Sequence, residues 1–350
     1  MSQPLNKRIL VAPLDWGLGH ASRCIPVIRN LQHQGHEVIL ASAGRALNYL
    51  KEFFPELKIL EKPAYNVQYS KKLPVAISIL LKVPSILKTI SIEHKWLNEI
   101  IRKYKIDEVV SDNCYGLWNK SIHSTIITHQ LNIKCPKLMR FAEPFINRKL
   151  QSFINKFDEC RVPDMEGDFN YAGELSHPKT ILMNLSYIGL LSRFSEIQTL
   201  TSSTGYDLLV LLSGPEPHRT AFENKIERLI LDKKIQACII RGLPGEKSVK
   251  TKSDNISWLN HADDELLATL LKNSIKIICR AGYSTIMDLA VLDVSAILIP
   301  TPGQTEQEYL AVHNKDKRKF TFINQDKLTW EEIVKAEINN KKESKNLLRI

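Results

Sequence analysis

Short apolar runs alternate with longer stretches of helical period along the first part of the chain. Ile9 to Ala12 reads as a strand, Ala21 to Gln34 as a helix, and His36 to Ala41 as a second strand. A helix over Gly44 to Phe54 precedes the strand Leu57 to Leu60, and two further strands are predicted at Ile106 to Ser111 and Ser124 to Thr128. Strands that alternate with helices in this way form parallel sheets with right-handed crossovers. A second series of the same kind opens near residue 206. It comprises strands at Leu208 to Leu212, Gln236 to Ile240, Ile256 to Leu259, Ile275 to Cys279 and Ser295 to Pro300, with helices at Thr220 to Leu231 and Ser284 to Leu292.

The pattern therefore predicts an α/β protein of two Rossmann-like doubly wound domains facing across a cleft. The expected boundaries are 1–175, a linker at 176–205, a second domain at 206–328, and a helix with a tail at 329–350. Residues 161–205, rich in Pro, Gly, Ser and Asp, read as late loops of the first domain followed by the linker. The terminal helix starts at the capping-box pattern Thr329-Trp330-Glu331-Glu332. A length of 350 residues agrees with two cores, since single cores seldom grow past roughly 250 residues.

The stretch 73–104 is apolar, but Lys82, Pro84 and Lys88 interrupt it, so it falls short of the roughly 20 mostly apolar residues a membrane span needs. Two readings stay open: helices packed on the first core with snorkelling lysines, or a peripheral contact with an anionic membrane face.

Composition is ordinary for a globular protein, at 43% hydrophobic and 25% charged. The six cysteines are scattered and form no Cys-x-x-Cys pair, which argues against a zinc ribbon or a redox motif and for free thiols. The start of the chain has no apolar signal core, so the expected location is the cytoplasm, with the inner face of the membrane as an extension of that reading. A net charge of +10 suits nucleic acid, anionic lipid or anionic small molecules. No helix-turn-helix, zinc finger or ribonucleoprotein pattern supports nucleic acid.

Two glycine-bearing turns carry the chemistry. Asp15-Trp16-Gly17-Leu18-Gly19-His20 follows the first strand, and Ser213-Gly214-Pro215-Glu216 follows the strand at 208–212. A strand that feeds a small-residue turn and then a helix presents main-chain N–H groups and the positive helix end to an anion. Gly17 and Gly19 allow a close approach, and His20 falls in the first helical turn, where imidazolium is disfavoured and a neutral general base is expected. A capping or core histidine is the alternative. A dinucleotide fingerprint fails on the letters: Ser22 stands where the third glycine belongs, and the strand ending near Ala41 supplies no acid for a ribose. Neither turn ends in Gly-Lys-Ser/Thr, so a P-loop is excluded.

A third candidate is Cys279-Arg280-Ala281-Gly282-Tyr283-Ser284-Thr285, again a strand, a glycine turn and a helix, suited to a diphosphate. Asp288, one turn further on, is placed either to hold ribose hydroxyls or to serve the helix dipole. The loop Pro300 to Tyr309 brings acids and amides, Gln307 and Glu308 among them, to sugar hydroxyls or to a helix cap. The runs Ser111 to Gly116, with Asp112, and Thr128-His129-Gln130 end strands of the first domain and are expected to line the acceptor side.

The order of these pieces resembles the GT-B glycosyltransferases, in particular the family of the peptidoglycan enzyme MurG. The similarity covers nearly the whole chain and is strongest from Trp258 to Ala311. It implies a uridine-diphosphate sugar as donor, with Trp258 and Leu259 framing the uracil. Ser213, Gly214, Arg280, Ala281, Gly282, Tyr283 and Ser284 would lie at the diphosphate, Asp288 at the ribose, and Gln307 and Glu308 at the sugar. Arg193 resembles the family's linker arginine, placed to neutralise the diphosphate, and His20 falls on its N-terminal base or acceptor position. Three positions differ from the family pattern: the Gly-Leu-Gly-His turn lacks a longer glycine run, Asp288 replaces Glu, and Glu308 replaces Gln.

The function expected is metal-independent transfer of a sugar to an acceptor hydroxyl, with His20 or Asp112 as base. No Asp-x-Asp motif calls for a divalent ion, and no cofactor beyond the nucleotide-sugar donor is implied. The acceptor would be lipid-linked or a cell-envelope glycan. A nucleotide-sugar 2-epimerase and a non-catalytic nucleotide-sugar-binding protein are the alternatives.

Overall fold

The computed structural model describes residues 6–65, 75–178, 184–197, 205–245, 254–315 and 319–336, with the main chain alone at 75–81. The chain divides between Arg193 and Phe194 into two compact units.

The first unit runs β1 (Arg8–Pro13), α1 (Leu18–His33), β2 (Glu37–Ser42), α2 (Gly44–Phe53), β3 (Lys58–Glu61), α3 (Val75–Tyr104), β4 (Glu108–Asp112), β5 (His123–Ile127), a 3-10 turn at Lys137–Ala142, α4 (Glu143–Ile154), β6 (Glu159–Val162) and β7 (Leu185–Tyr187). Its seven strands lie in the order β3-β2-β1-β4-β5-β6-β7, all parallel. Parallel strands covered on both faces read as unbroken apolar runs, and β1 shows why. Ile9 and Val11 pack with Ile25 and Ile28 of α1, while Leu10 and Ala12 pack with Leu97 and Ile100 of α3.

The linker expected at 176–205 is shorter in the structure. Leu185–Tyr187 pairs with Cys160–Val162 as the last strand of the first sheet. Three residues are too few for their period to register in the sequence. α3 is one 30-residue helix that carries Pro84 within it. Residues 73 and 74 of the stretch 73–104 lie outside the described residues, and no described helix is long and apolar enough to cross a membrane.

The second unit runs β8 (Leu208–Leu211), α5 (His218–Ile230), β9 (Ala237–Ile240), β10 (Ile256–Leu259), α6 (Asp264–Asn273), β11 (Lys276–Cys279), α7 (Tyr283–Val291), β12 (Ala296–Leu298), α8 (Thr305–Asn314), β13 (Phe320–Phe322) and α9 (Trp330–Lys335). Six parallel strands lie in the order β10-β9-β8-β11-β12-β13. Thr329 caps α9, its hydroxyl accepting from the Glu332 amide, as the capping box predicts. The expected tail beyond 336 lies outside the described residues.

Buried Lys276 fastens that helix. Its Nζ donates to the carbonyls of Ile333, Val334 and Ala336 at 2.9, 2.8 and 2.7 Å, so a strand lysine satisfies the open carbonyls of a helix end. Lys276→Met leaves those carbonyls unmet and is expected to cost about 1–3 kcal/mol. A urea midpoint unchanged from wild type would contradict this role.

Candidate active site

In an open parallel sheet the ligand crevice lies at the carboxyl ends of the strands where the order reverses. In the first unit that point falls between β1 and β4, and Pro13 pairs with Asp112 there. Past β1 the chain turns through Gly17, at φ 150° and ψ 176°, a conformation open essentially to glycine alone. α1 starts directly after it and carries Gly19 and His20 in its first turn, with no side chain capping its N-terminus.

His20 Nδ1 lies 2.7 Å from Oδ1 of Asp112. Asp112 is fully buried, and Arg23, one helical turn beyond His20, grips both carboxylate oxygens through Nε and Nη2. Arg23 Nη2 also lies 2.9 Å from His20 Nδ1, and Nη1 lies 3.2 Å from Nδ1 of buried His129. Burial pushes the Asp112 carboxyl up, but the Arg23 guanidinium and His20 more than reverse this and hold it at about 2. An ionised carboxylate can only accept and a guanidinium can only donate, so the two contacts of Nδ1 compete; Arg23 Nη2 already donates to Oδ1, and the shorter carboxylate contact assigns the hydrogen to Nδ1 and leaves the lone pair of the neutral ring on Nε2. The histidine side chain is 20% exposed while its acid partner is sealed. The pair can thus orient a base and stabilise the cation formed when that base takes a proton.

A second buried group holds the same turn from behind. Lys62 Nζ donates to Glu93 Oε1 at 3.0 Å and meets Asp15 Oδ1 at 3.4 Å, while the Tyr65 hydroxyl donates to Glu93 Oε2 and its amide to Asp15 Oδ2. Trp16 packs edge-on to the Tyr65 ring. Arg193 closes the first unit, with Nη1 donating to the Tyr49 hydroxyl of α2 at 3.2 Å.

In the second unit the order reverses between β8 and β11, so the loops after these two strands are neighbours at one edge. Ser213 and Gly214 are exposed in the first loop, with Gly214 at φ 101°. In the second, Ala281 and Tyr283 are buried while Gly282 and Ser284 are half-buried. Gly282 caps α7 with no side-chain hydrogen bond, and the positive end of the helix dipole lies at this turn. Its backbone, at φ −77° and ψ 142°, suits any residue, and an added Cβ would meet only Thr285 Oγ1 at 3.8 Å. Nothing among the described residues demands glycine there. Asp288 sits further along α7, 9% exposed.

Four side chains stand differently from the expectation. The Trp258 ring is part of the hydrophobic core, because Ile256 and Trp258 share the inward face of β10 while Leu259 faces the other way and is half-buried. The indole is therefore no platform for a base, and only the chain at Trp258–Leu259 is left for that role. Arg280 is 1% exposed, stacks on Phe222 at 4.0 Å, and donates to the carbonyls of Ile299, Pro300 and His218. It ties strand ends together beneath the loop, and burial lowers its guanidinium to about 9. Gln307 is buried, and its Oε1 accepts from the Thr301 amide at 2.8 Å; exposed Glu308 accepts from the Gly303 amide at 2.9 Å. Both carbonyl-type oxygens are committed to shaping the loop before α8.

Arg23, Lys62 and Glu93 escaped the sequence reading as members of the site, and His129 was read only as a strand-end residue with no role. Only Arg23 left a signal, its spacing of three from His20 on one helix face.

The family and the fold are shown by comparison with known proteins. The model of the glycosyl transferase family 1 matches residues 7–336, and the chain belongs to that family. An uncharacterized glycosyltransferase of Methanosarcina acetivorans is 24% identical over 326 residues, covering 86% of this chain and 81% of that protein. The UDP-N-acetylglucosamine--N-acetylmuramyl-(pentapeptide) pyrophosphoryl-undecaprenol N-acetylglucosamine transferase of Haemophilus ducreyi is 24% identical over 318 residues, covering 87% and 81%. Among solved structures, the glycotransferase of kitacinnamycin superposes with a TM-score of 0.65 at 13% identity, covering 95% of this chain and 90% of that one. Two parallel-sheet α/β units are the fold of GT-B glycosyltransferases, and the chain is a transferase enzyme of this type. These likenesses do not favour the epimerase.

Proposed function

We propose that this glycosyltransferase moves a sugar from a uridine-diphosphate donor to the hydroxyl of a lipid-linked acceptor, without a metal ion. The observation that carries the reading is the His20–Asp112 pair, in which a buried ionised carboxylate fixes the ring so that Nε2 is the basic nitrogen. As the acceptor oxygen bonds to the sugar carbon, its proton passes to His20 Nε2. The bond from that carbon to the diphosphate breaks, and the nucleoside diphosphate departs with the electron pair. Main-chain amides at the start of α7 meet the charge it carries away, Ser213 and Gly214 line the same edge of the second sheet, and Asp288 takes the ribose. Arg193 adds a positive charge toward the diphosphate.

A uridine donor is supported by the name of the Haemophilus ducreyi relative, and a lipid-linked acceptor by the same name together with the net charge of +10. The basic and apolar segment 73–104 gives the peripheral contact with the membrane. The test is incubation with a panel of radiolabelled nucleotide sugars and membrane extract: label from a uridine-diphosphate sugar should enter the lipid fraction, and transfer from no donor would overturn the proposal. A narrower test addresses the donor site. Gly282→Val adds a branched side chain whose Cβ would meet only Thr285 Oγ1, at 3.8 Å, so it should weaken uridine-diphosphate binding at least about tenfold by calorimetry while leaving thermal stability near wild type. Equal affinity would remove the diphosphate from the α7 N-terminus.

A further inference from the structure

The carboxyl edge of the second sheet carries a buried ion network. Arg219 of α5 is 5% exposed and Glu223, one turn further on, 1%. Arg219 donates through Nε to Glu216 at 2.6 Å and through Nη1 to Glu223, and Glu216 belongs to the loop that starts with Ser213 and Gly214. The same Oε2 of Glu223 accepts from Arg241 Nε at 3.2 Å, and Arg241 Nη1 donates to Asn260 Oδ1 at 2.8 Å. Arg241 directly follows β9, and its amide donates to the carbonyl of Leu259 in β10 at 2.8 Å. Beside it Gly242 packs so tightly on the Leu212 carbonyl that a Cβ would collide with it. One guanidinium is thus fixed among the exits of β8, β9 and β10.

Two nitrogens of Arg241 are committed and the third is open. Among the described residues Nη2 has no partner, and it is not sealed, the side chain being 12% exposed. With the planar fork pinned on two nitrogens, the direction of the Nη2 hydrogens is set before any ligand arrives. Charge defines the group it suits. The two arginines and two glutamates of the network balance, so Arg241 offers a directed donor without surplus charge and matches a neutral acceptor better than a phosphate. Position agrees. The diphosphate assigned to the start of α7 and to Ser213 and Gly214 lies at β11 and β8, and β9 is the next strand on that side. Two strand spacings, about 10 Å, separate β9 from β11, so a nucleotide running along this edge brings its base to Arg241.

We propose that Arg241 is a specificity-determining residue for the donor, its Nη2 donating to the 4-carbonyl oxygen of the uracil base. The inference rests on the uridine-diphosphate reading and deepens it: with the Trp258 indole in the core, Arg241 supplies a side chain that tells one base from another. The 4-position is the edge of the base remote from the ribose. Uracil carries an acceptor there and cytosine an amino group, which would meet the guanidinium donor against donor. A site built to hydrogen-bond one of two bases of nearly equal shape rejects the other, because its own polar group is left unpaired.

The test is calorimetry of the full chain with uridine diphosphate and with cytidine diphosphate. Wild type should bind the uridine nucleotide at least about tenfold more tightly. Arg241→Met should lower that affinity at least about tenfold without lowering the affinity for cytidine diphosphate, so that the preference disappears. Arg241→Lys keeps a cation beside Glu223 but lacks the planar fork; it should lose the preference too, and it decides the matter if the methionine variant unfolds. Gly282→Val is the contrast, since a change at the diphosphate should weaken both nucleotides alike. Equal wild-type affinity for the two nucleotides overturns the inference, and so does a folded Arg241 variant that keeps the preference or weakens both nucleotides equally. Those results leave the diphosphate at α7 standing, whereas a wild type that binds neither nucleotide takes down the donor reading and this inference with it.

Discussion

His20→Ala is expected to lower sugar transfer by about 10²–10⁴-fold, the range for losing a positioned general base, while nucleotide affinity stays within about twofold. The selectivity follows from geometry. His20 is partly exposed and contributes one hydrogen bond to Asp112, so its removal should cost the fold only about 1 kcal/mol. The donor groups assigned at α7 belong to the other compact unit and keep their residues. Single-turnover transfer and calorimetry with uridine diphosphate separate these effects. Substantial transfer by the variant would remove His20 from the reaction.

Asp112→Asn should damage both chemistry and fold. The buried Arg23 guanidinium would lose the carboxylate it grips through Nε and Nη2, a change that costs about 3–5 kcal/mol in buried pairs. The amide can also present N–H to the ring and so allow the opposite tautomer, with the hydrogen on Nε2 and no base there. Transfer should fall by at least about 10²-fold beyond any loss of folded protein. The same carboxylate ties stability to acidity. Its folded value of about 2 lies below the ordinary 3.8, so its contribution is fully present above pH 4 and is lost as pH falls from about 4 to 2. The amount is about 2 kcal/mol, from roughly 1.4 kcal/mol per unit. Denaturant midpoints of wild type should drop across that interval by more than those of Asp112→Asn. Parallel curves would show that Asp112 is not held ionised by the fold.

The turns were legible because their determinants are local. An apolar run, then glycine at a backbone angle other residues avoid, then a helical period marks Gly17 and α1 without any distant information. The order of strands and helices gave two parallel sheets for the same reason. β7 was missed because three residues have too short a period to register, and its pairing with β6 is a tertiary event. Trp258 illustrates the limit within a strand: a run buried on both faces carries no sign of which residues point inward, and the structure sends the indole into the core. Gln307 and Glu308 were placed in the correct loop, but which hydrogen bonds their oxygens make depends on how that loop folds back over α8.

By itself, then, the chain determined where its strands end, which of those ends carry glycine, and which polar residues stand beside them, since each is a matter of a few neighbouring residues. Only the tertiary structure decided that His20 meets Asp112 across 92 positions, with Arg23 gripping the same carboxylate and meeting His129 through Nη1. That contact exists because β1 and β4 lie side by side at the point where the strand order reverses, and strand adjacency is set by the packing of the whole sheet.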